Sequence, residues 1–368
     1  MKFVISRENL LVPLNLVVGV VERRQTLPIL SNVLMVLDNE RLSFTGTDLE
    51  VELIGRTIVS GAKGSVEVTV PARKLLDICK SLPEDSQIEI LVEENKVKLQ
   101  SGRSRFTLSS LPASDFPSIE DSIGTSALVL KQPLLRRLID RAGFAMAQQD
   151  VRYYLNGMLF EISKGQLRAV ATDGHRLAMC SLAIEVDEEA STQVIVPRKG
   201  VLELSRLLDA EGDEEISTVI GSNHIRVTSE KFTFTSKLVD GKFPDYERVL
   251  PKSTTNELVG GRLDLRQAFL RTSILSNEKY RGVRVKLSHD LIEISANNPE
   301  QEEAEEALGV EYSGAPIEMG FNVSYLLDVL GVLEGDKARI SLSDPNSSAL
   351  IEESEGGDSL YVVMPMRL

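Results

Sequence analysis

The sequence predicts an α+β protein of three similar domains, each with two helices packed on one face of antiparallel sheets. Three observations support this class. Pairs of strand-like segments recur three times in the 368 residues. The polar residues that end these pairs, Asp48, Asp173 and Asn298, follow one another at intervals of 125 residues. Apolar residues at helical spacing accompany each pair, so the repeated unit contains both kinds of element.

The strand-like segments alternate apolar and polar residues, which predicts sheets with one buried and one hydrated face. The three pairs are residues 29–36 with 42–48, 154–160 with 167–173, and 281–287 with 292–298. A second half-repeat leads from a strand into a helix at residues 68–74, at 194–199 and, more weakly, at 319–324. Further alternating runs such as 87–91 and 96–100 follow these helices.

Six helices are predicted from apolar residues spaced by three or four. They cover residues 7–24, 72–82, 131–147, 198–209, 262–276 and 323–334. In the first, Leu10, Leu14, Val17 and Val21 form one apolar stripe. Proline precedes the basic start of the second and fourth helices, where its missing N–H group costs no hydrogen bond.

Two turn-rich segments, 111–117 and 243–246, each contain a Phe-Pro pair and resemble one another. They predict domains at 1–122, 123–248 and 249–368. A unit of this length is a whole domain, since solenoid repeats are only about 20–50 residues long.

Composition excludes several classes of protein. No apolar run approaches the ~20 residues of a membrane helix, and the N-terminus lacks the apolar core of a signal peptide, so we expect a cytoplasmic protein. Cys79 and Cys180 are expected to be reduced core thiols. The three histidines are scattered, and no zinc spacing or nucleotide-binding glycine motif is present, so no metal, cofactor or catalytic residue is predicted.

The net charge of −14 argues against DNA binding unless the charges are segregated. The predicted helices carry 16 Lys and Arg against 9 Asp and Glu, a net +7, which leaves −21 for the remainder. A surface made of these helices could face phosphate without reading base sequence. Ordinary solvated amphipathic helices are the alternative interpretation, and the last helix has no basic residue.

Eight segments carry a resemblance to a known family. They are residues 1–3, 26–30, 45–50, 101–106, 149–157, 171–177, 296–306 and 364–368. The chain resembles the bacterial sliding clamps, the β subunits of DNA polymerase III. The resemblance implies the DNA clamp fold, a head-to-tail dimeric ring that encircles duplex DNA, and no catalysis. The implied partners are double-stranded DNA, a second copy of the chain, the DNA polymerase III α subunit, a clamp loader, and other polymerases and repair proteins.

The resemblance implies a dimer interface between opposite ends of the chain. A basic strand near the end of the first repeat would meet acidic residues of the third, with apolar contacts beside them. The residues are Lys74, Lys96, Arg103, Arg105, Phe106, Leu108, Ile274, Leu275, Glu300, Glu302, Glu303 and Glu306. The apolar contacts should dominate, because exposed ion pairs stabilise little. Without the resemblance, these charges would be interpreted as solvated surface.

The resemblance also implies a cleft for short linear peptides. Its residues are Arg152, Leu155, Thr172, Gly174, His175, Arg176, Leu177, Pro244, Val249, Val362, Met364, Pro365, Met366, Arg367 and Leu368. Leu, Val and Met would form an adaptable apolar wall, and the two arginines of positions 152 and 176 could meet an acidic group. The alternatives are a hairpin turn at 173–174, a packed His175, a core Leu177 and a frayed C-terminus.

A third implied group would approach DNA: Arg24, Arg73, Gln149, Tyr153, Tyr154, Arg198 and Lys199. One tyrosine of the consecutive pair is expected to stack on unpaired bases while the other packs in the core, because neighbours on a strand point to opposite faces. Gln25 and Gln148 depart from the family pattern and affect only fine contacts.

The residue patterns leave two other functions open. A peptide-binding scaffold that never holds DNA fits the acidic composition, although the basic helices oppose it. A carboxylate-dependent hydrolase would use the Glu cluster, but consecutive Glu side chains on a strand or loop rarely converge.

Overall fold

The computed structural model describes residues 1–21, 27–119, 127–185, 191–251 and 256–367. The chain forms two compact units. The first contains Met1–Leu135 and Lys199–Leu238, and the second contains Arg136–Arg198 and Val239–Leu368. Each unit has one large and one small antiparallel sheet.

The described residues contain six α-helices, in the predicted order. They are α1 (Arg7–Val17), α2 (Ala72–Ser81), α3 (Gln132–Ala142), α4 (Arg198–Leu207), α5 (Arg262–Ser273) and α6 (Val323–Val332). Each ends earlier than predicted, although residues 22–24 of the first prediction lie outside the described residues. Leu82, for example, is extended (ψ 151°) because Pro83 follows it. Apolar periodicity overestimated the helices because Leu82 and Leu208, just beyond two helix ends, are also buried.

The first unit contains an eight-stranded and a four-stranded sheet. In spatial order the larger one comprises β5 (Ser65–Pro71), β2 (Asn32–Asp38), β3 (Arg41–Thr47), β4 (Val51–Ile58), β16 (Phe232–Lys237), β15 (His224–Thr228), β14 (Glu215–Ile220) and β9 (Ala127–Lys131). The smaller comprises β1 (Lys2–Ser6), β6 (Gln87–Glu93), β7 (Lys96–Ser101) and β8 (Ser104–Ser109). Gly55 lets α1 approach the larger sheet, since a Cβ atom there would lie 2.8 Å from the Pro13 carbonyl oxygen.

The second unit contains a nine-stranded and a four-stranded sheet. In spatial order the larger one comprises β13 (Thr192–Pro197), β10 (Gly157–Ser163), β11 (Gln166–Thr172), β12 (Arg176–Ala183), β25 (Ser359–Val363), β24 (Ala349–Glu353), β23 (Lys337–Leu342), β17 (Asn256–Gly261) and β21 (Glu311–Tyr312). The smaller comprises β20 (Glu303–Gly309), β19 (Leu291–Asn297), β18 (Gly282–Ser288) and β22 (Ile317–Asn322).

Both large sheets join strands from adjacent predicted domains. Strand β4 pairs with β16, with Gly55 opposite Phe232. Strand β12 pairs with β25, with Leu177 opposite Val362. Because main-chain hydrogen bonds cross the predicted boundaries, the compact units do not follow them, and the boundaries 1–122, 123–248 and 249–368 stay predictions.

The first two repeats form the same turn at their polar ends. Thr47 Oγ1 donates to the Val51 carbonyl oxygen at 2.9 Å, and Thr172 Oγ1 donates to that of Arg176 at 2.6 Å. The Asp48 carboxylate accepts from the N–H groups of residues 50 and 51, as that of Asp173 does from those of residues 175 and 176. The interval of 125 residues therefore relates equivalent positions in the two repeats.

Three further features concern the chemistry available to the chain. Cys79 and Cys180 are buried free thiols, and burial raises the pKa of the Cys79 thiol to about 12. Within the described residues, no three His, Cys, Asp or Glu side chains are grouped to hold a metal ion. No helix of that part of the chain is both long and apolar enough to span a membrane.

Candidate functional site

A cavity of about 160 Å³ lies in the second unit at the turn that ends β11. It is lined by ten of the predicted cleft residues and by two tyrosines: Arg152, Tyr154, Leu155, Thr172, Gly174, Arg176, Leu177, Pro244, Tyr246, Val249, Val362 and Met364. Its wall is mainly apolar, with polar groups at a few positions, as is typical of a ligand pocket. We call this cavity the cleft.

The apolar wall of the cleft continues into a packed core. Leu177 on β12 and Val362 on β25 oppose one another and belong to a buried cluster with Phe243 and Tyr246. Leu177 is therefore a core residue that also lines the cavity, and its part in peptide binding stays a prediction. Leu177, Tyr246 and Val362 are thus held in the cavity wall by their packing within the core cluster.

Tyr246 was missed as a cleft residue, and its hydroxyl anchors the segment that closes one side of the cavity. It donates to the Glu161 carboxylate at 2.5 Å, and Arg168 Nη1 lies 3.3 Å from the hydroxyl oxygen. Burial, and then the carboxylate of Glu161, raise the pKa of Tyr246 to about 12. Burial works against ionisation of Glu161, but hydrogen bonds from Tyr246, Gln193 and Arg168 outweigh it and lower the pKa of Glu161. The only sequence signal was that Tyr246 follows the Phe-Pro pair of a turn-rich segment.

Replacing Tyr246 by phenylalanine should lower the free energy of unfolding by about 1–3 kcal/mol at pH 7, because a buried carboxylate loses a partner. The loss should shrink below pH 4.5, the ordinary pKa of Glu161. A carboxyl whose pKa is lowered by folding stabilises the fold above that pH and loses this contribution as it becomes protonated. Urea unfolding at pH 7 and pH 4 measures the effect. Tyr280→Phe, at an exposed tyrosine, is the control and should change neither value.

The two cleft arginines have partners within the chain. Arg176 reaches Asp173 at 3.1 Å, Asp328 at 2.5 Å and the Phe144 carbonyl oxygen at 2.8 Å. Arg152 is paired with Asp150 at 2.9 Å and lies against Gly174. The left-handed φ of +89° favours glycine at position 174, and an added Cβ atom there would lie 2.9 Å from the Arg152 guanidinium, which would have to move. An acidic ligand would have to compete with these internal carboxylates.

The C-terminal segment is held in place. The Met364 N–H donates to the His175 carbonyl oxygen at 3.0 Å, and the Met366 N–H donates to that of Gly320 at 2.8 Å. The alternative of a frayed tail is thus wrong for residues 364–366. The His175 side chain is exposed and Pro365 is half-buried. Leu368 lies outside the described residues.

Met366 and Arg367 were predicted to line the cleft, but they line a second cavity of about 580 Å³ instead. Asn277, Tyr280 and Arg284 lie on its other sides. The predicted cleft group is therefore divided at the C-terminal segment, with Met364 on the cleft. The reason is the chain path: the Met366 N–H is bound to Gly320, on β22, whereas Met364 continues from β25 beside the turn at His175.

The predicted DNA-facing residues are distributed over both units, and their approach to DNA stays a prediction. Arg73 on α2 donates to the Val21 carbonyl oxygen at 2.8 Å, and Arg198 on α4 donates to that of Met146 at 3.3 Å. Lys199 Nζ lies 2.5 Å from the Asp48 carboxylate. Gln149 is exposed with φ of +55°. Arg24 lies outside the described residues, and so does Gln25, which departs from the family pattern.

The tyrosine pair lies on a 3₁₀ turn, Tyr153–Leu155, and not on the predicted strand, which begins at Gly157. Neighbours on such a turn point in different directions because the chain rotates by about 120° per residue. Tyr153 is 59% exposed. Tyr154 packs against the core cluster and lines the cleft. The expectation of one free and one packed ring stays, although its premise of a strand was wrong.

The predicted interface residues occupy both units. In the first, Lys74, Lys96, Arg103 and Arg105 are exposed and Phe106 is half-buried, whereas Leu108 is already buried at 7% exposure. In the second, Ile274 just beyond α5 is 73% exposed and Leu275 is half-buried.

The acidic residues of the predicted interface differ in their surroundings. Glu300, Glu302 and Glu303 are exposed. Glu306 pairs with Arg271 of the same chain at 2.5 Å, and this hydrogen bond lowers the pKa of Glu306. Glu306 is thus less available to a partner than the other three.

Three family descriptions match consecutive parts of the chain. They are the DNA polymerase III beta subunit N-terminal domain over residues 1–120, its central domain over 129–245, and its C-terminal domain over 247–367. The chain belongs to the DNA polymerase III β subunit family. The predicted fold class, three clamp domains with helices on antiparallel sheets, is thereby confirmed.

Relatives within this family are sliding clamps. The chain is 64% identical to the beta sliding clamp of Pseudomonas aeruginosa over 368 residues and 63% identical to that of Pseudomonas putida over 369, with 100% of each chain covered. A crystal structure of the DNA polymerase III subunit beta from P. aeruginosa, 64% identical, matches with a TM-score of 0.97 over 100% of both chains. The chain is accordingly a sliding clamp of DNA polymerase III, a non-catalytic processivity subunit whose partners are DNA and polymerase.

Proposed function

We propose that two copies of this chain associate head to tail into a ring that encircles duplex DNA, and that the cleft tethers the polymerase III α subunit and other polymerases and repair proteins by short peptides. The cleft is the single observation that supports the proposed tethering role. It combines an apolar wall, part of which is packed in the core, with Met364, a flexible side chain suited to several partners. The protein would act in the cytoplasm, and a separate ATP-driven loader would open the ring, since a closed ring cannot thread onto circular DNA.

Charge on the helices supports DNA within the ring. Within the observed bounds, the six helices of the described chain carry thirteen Lys and Arg against six Asp and Glu, which is again a net +7. Some of these cations are paired, such as Lys199 with Asp48. Arg73 and Arg198 donate to backbone carbonyls, so phosphate would not have to displace a carboxylate there. These two residues are the strongest candidates for contacts that hold DNA without sequence preference.

The dimer interface would be formed by the exposed Ile274 and Leu275 of one copy and Phe106 of the other. The cations Lys74, Lys96, Arg103 and Arg105 would face Glu300, Glu302 and Glu303 at the rim. Opposite charge at the two ends of one chain favours head-to-tail over head-to-head pairing. The apolar centre would supply most of the free energy of association.

A topological experiment tests the ring. After loading on nicked circular DNA, the protein should remain bound through gel filtration in high salt and should be lost once the circle is cut to a linear form. A linked ring has no dissociation pathway on a circle, whereas phosphate contacts weaken with salt. Release from intact circles in high salt would contradict encirclement and would favour a peptide-binding scaffold that does not hold DNA.

The tyrosine pair should separate the two binding functions. Tyr153→Ala should weaken binding to a primed template with a single-stranded end by about tenfold, the scale of one stacked base, and leave binding of the α subunit unchanged. Tyr154→Ala should instead weaken α subunit binding, because it removes part of the cleft wall. Fluorescence anisotropy measures both, with the exposed Tyr280→Ala as the control. If the two variants weakened binding to the primed template equally, this division of roles would be contradicted.

A further inference from the structure

A cavity of about 550 Å³ lies on the eight-stranded sheet of the first unit. Cross-strand register brings its residues to one face, because Val36 on β2 opposes Ser43 on β3, which in turn opposes Arg56 on β4. Two residues further along, Arg41 opposes Ile58 on the same face. Val36 and Ile58, the latter 55% exposed, give the cavity an apolar wall.

Arg56 has no anionic partner in the described part of the chain. Its side chain is half-buried and donates to Thr233 Oγ1 at 2.6 Å. None of the carboxylates described in the structure lies within 4.0 Å of its guanidinium. Burial without compensation lowers the pKa of Arg56. Removing a cation from water is costly unless an anion replaces the lost solvation.

In the second repeat, the same row of positions contains an arginine that is paired with a carboxylate. Glu161, Arg168 and Ser181 oppose one another there, each 125 residues after Val36, Ser43 and Arg56. Arg168 lies 3.4 Å from the Glu161 carboxylate. A guanidinium thus crosses this row in both repeats, but the first has valine where the second has the glutamate.

We propose that this cavity, the Arg56 pocket, binds an acidic side chain of a partner protein that lies next to apolar side chains. The ligand's carboxylate would take the place that Glu161 has in the second repeat, and its apolar neighbour would cover Ile58. The lining carries Arg41, Arg56 and Lys231 against Asp38 and Glu230, a net charge of +1. This balance suits a single carboxylate better than the several closely spaced phosphates of DNA, so a peptide fits better than a nucleic acid. The Arg56 pocket belongs to the first unit and the cleft to the second. A negative result for peptide binding at the Arg56 pocket would therefore leave the proposed tether at the cleft unaffected.

Methyl NMR of the full-length chain can test the pocket with defined probes. Acetyl-Leu-Glu-Leu-amide should shift the Ile58 and Val36 methyl signals. Acetyl-Leu-Gln-Leu-amide should bind at least about tenfold more weakly, because it lacks the charge-assisted hydrogen bond to Arg56. Arg56→Gln should abolish this preference. Arg226→Gln is the matched control, since Arg226 also donates to a threonine of β16, Thr235 at 3.1 Å, but does not line the pocket.

A second variant reproduces the other repeat. Val36→Glu should pair with Arg56 inside the chain, raise the melting temperature and abolish binding of the glutamate peptide. Equal affinity for the two peptides, or shifts that survive Arg56→Gln, would overturn the proposal. So would a DNA duplex that produces the same Arg56-dependent shifts more strongly than the peptide, because the occupant would then be nucleic acid.

Discussion

Replacing both Ile274 and Leu275 by alanine should convert the protein into monomers. Ile274 is 73% exposed at the end of α5, an unusual position for so large an apolar side chain unless a partner covers it. Burying two such side chains contributes about 3–5 kcal/mol per interface, so their loss should raise the dissociation constant by two to four orders of magnitude. A head-to-tail dimer contains the interface twice, so the combined effect is larger.

Sedimentation velocity at micromolar concentration measures this change directly. Leu202→Ala is the matched control, because Leu202 on α4 is, like Ile274, a large exposed apolar side chain, at 52%, and lies outside the proposed interface. It should sediment as the unmodified protein does. A double variant that sediments as an intact dimer would refute the proposed interface. Circular dichroism should show that both variants keep their secondary structure.

Deleting residues 364–368 should abolish binding of the polymerase III α subunit and leave the dimer intact. The deletion removes Met364 from the cleft wall, together with the hydrogen bonds that hold the segment to His175 and Gly320. Loss of Met364 together with the segment that holds it beside the cleft should cost more than a single contact, and we expect at least a hundredfold weaker binding. Surface plasmon resonance with immobilised α subunit measures the affinity.

Two single substitutions refine this prediction. Met364→Ala should reproduce most of the loss, whereas Met366→Ala should have a smaller effect because Met366 lines the other cavity. Unchanged affinity of the deletion variant would exclude the cleft as the tether. A deletion variant that also sediments as a monomer would show that the C-terminal segment supports the dimer.

Local patterns predicted the repeated elements well. The Thr-Asp ends of β3 and β11 were identified from their interval, and they form the same turn because side-chain hydrogen bonds within a few residues depend only on local sequence. All six helices were found for the same reason, since the spacing of Leu10, Leu14 and Val17 reflects one helix face. Helix ends were less accurate because Leu82 and Leu208 continue the apolar pattern outside a helix.

Site residues were predicted less completely because their roles depend on distant neighbours. Tyr246 stands in a turn-rich segment, and only the fold places its hydroxyl on Glu161, 85 residues earlier. Arg176 looked available to a ligand, but Asp328, 152 residues later, occupies its guanidinium. No periodicity contains information about such pairs.

Residue type and spacing along single segments were enough to predict the three repeats, the α+β class and the segregation of positive charge onto the helices. The tertiary fold alone shows that Met364 and Met366 line different cavities. It also shows that, among the residues the structure describes, no carboxylate pairs with Arg56 as Glu161 does with Arg168. The physical reason is that side-chain partnership is set by strand register and sheet order, which join residues far apart in the chain. A charge is visible in the sequence, whereas its compensation is a property of the fold.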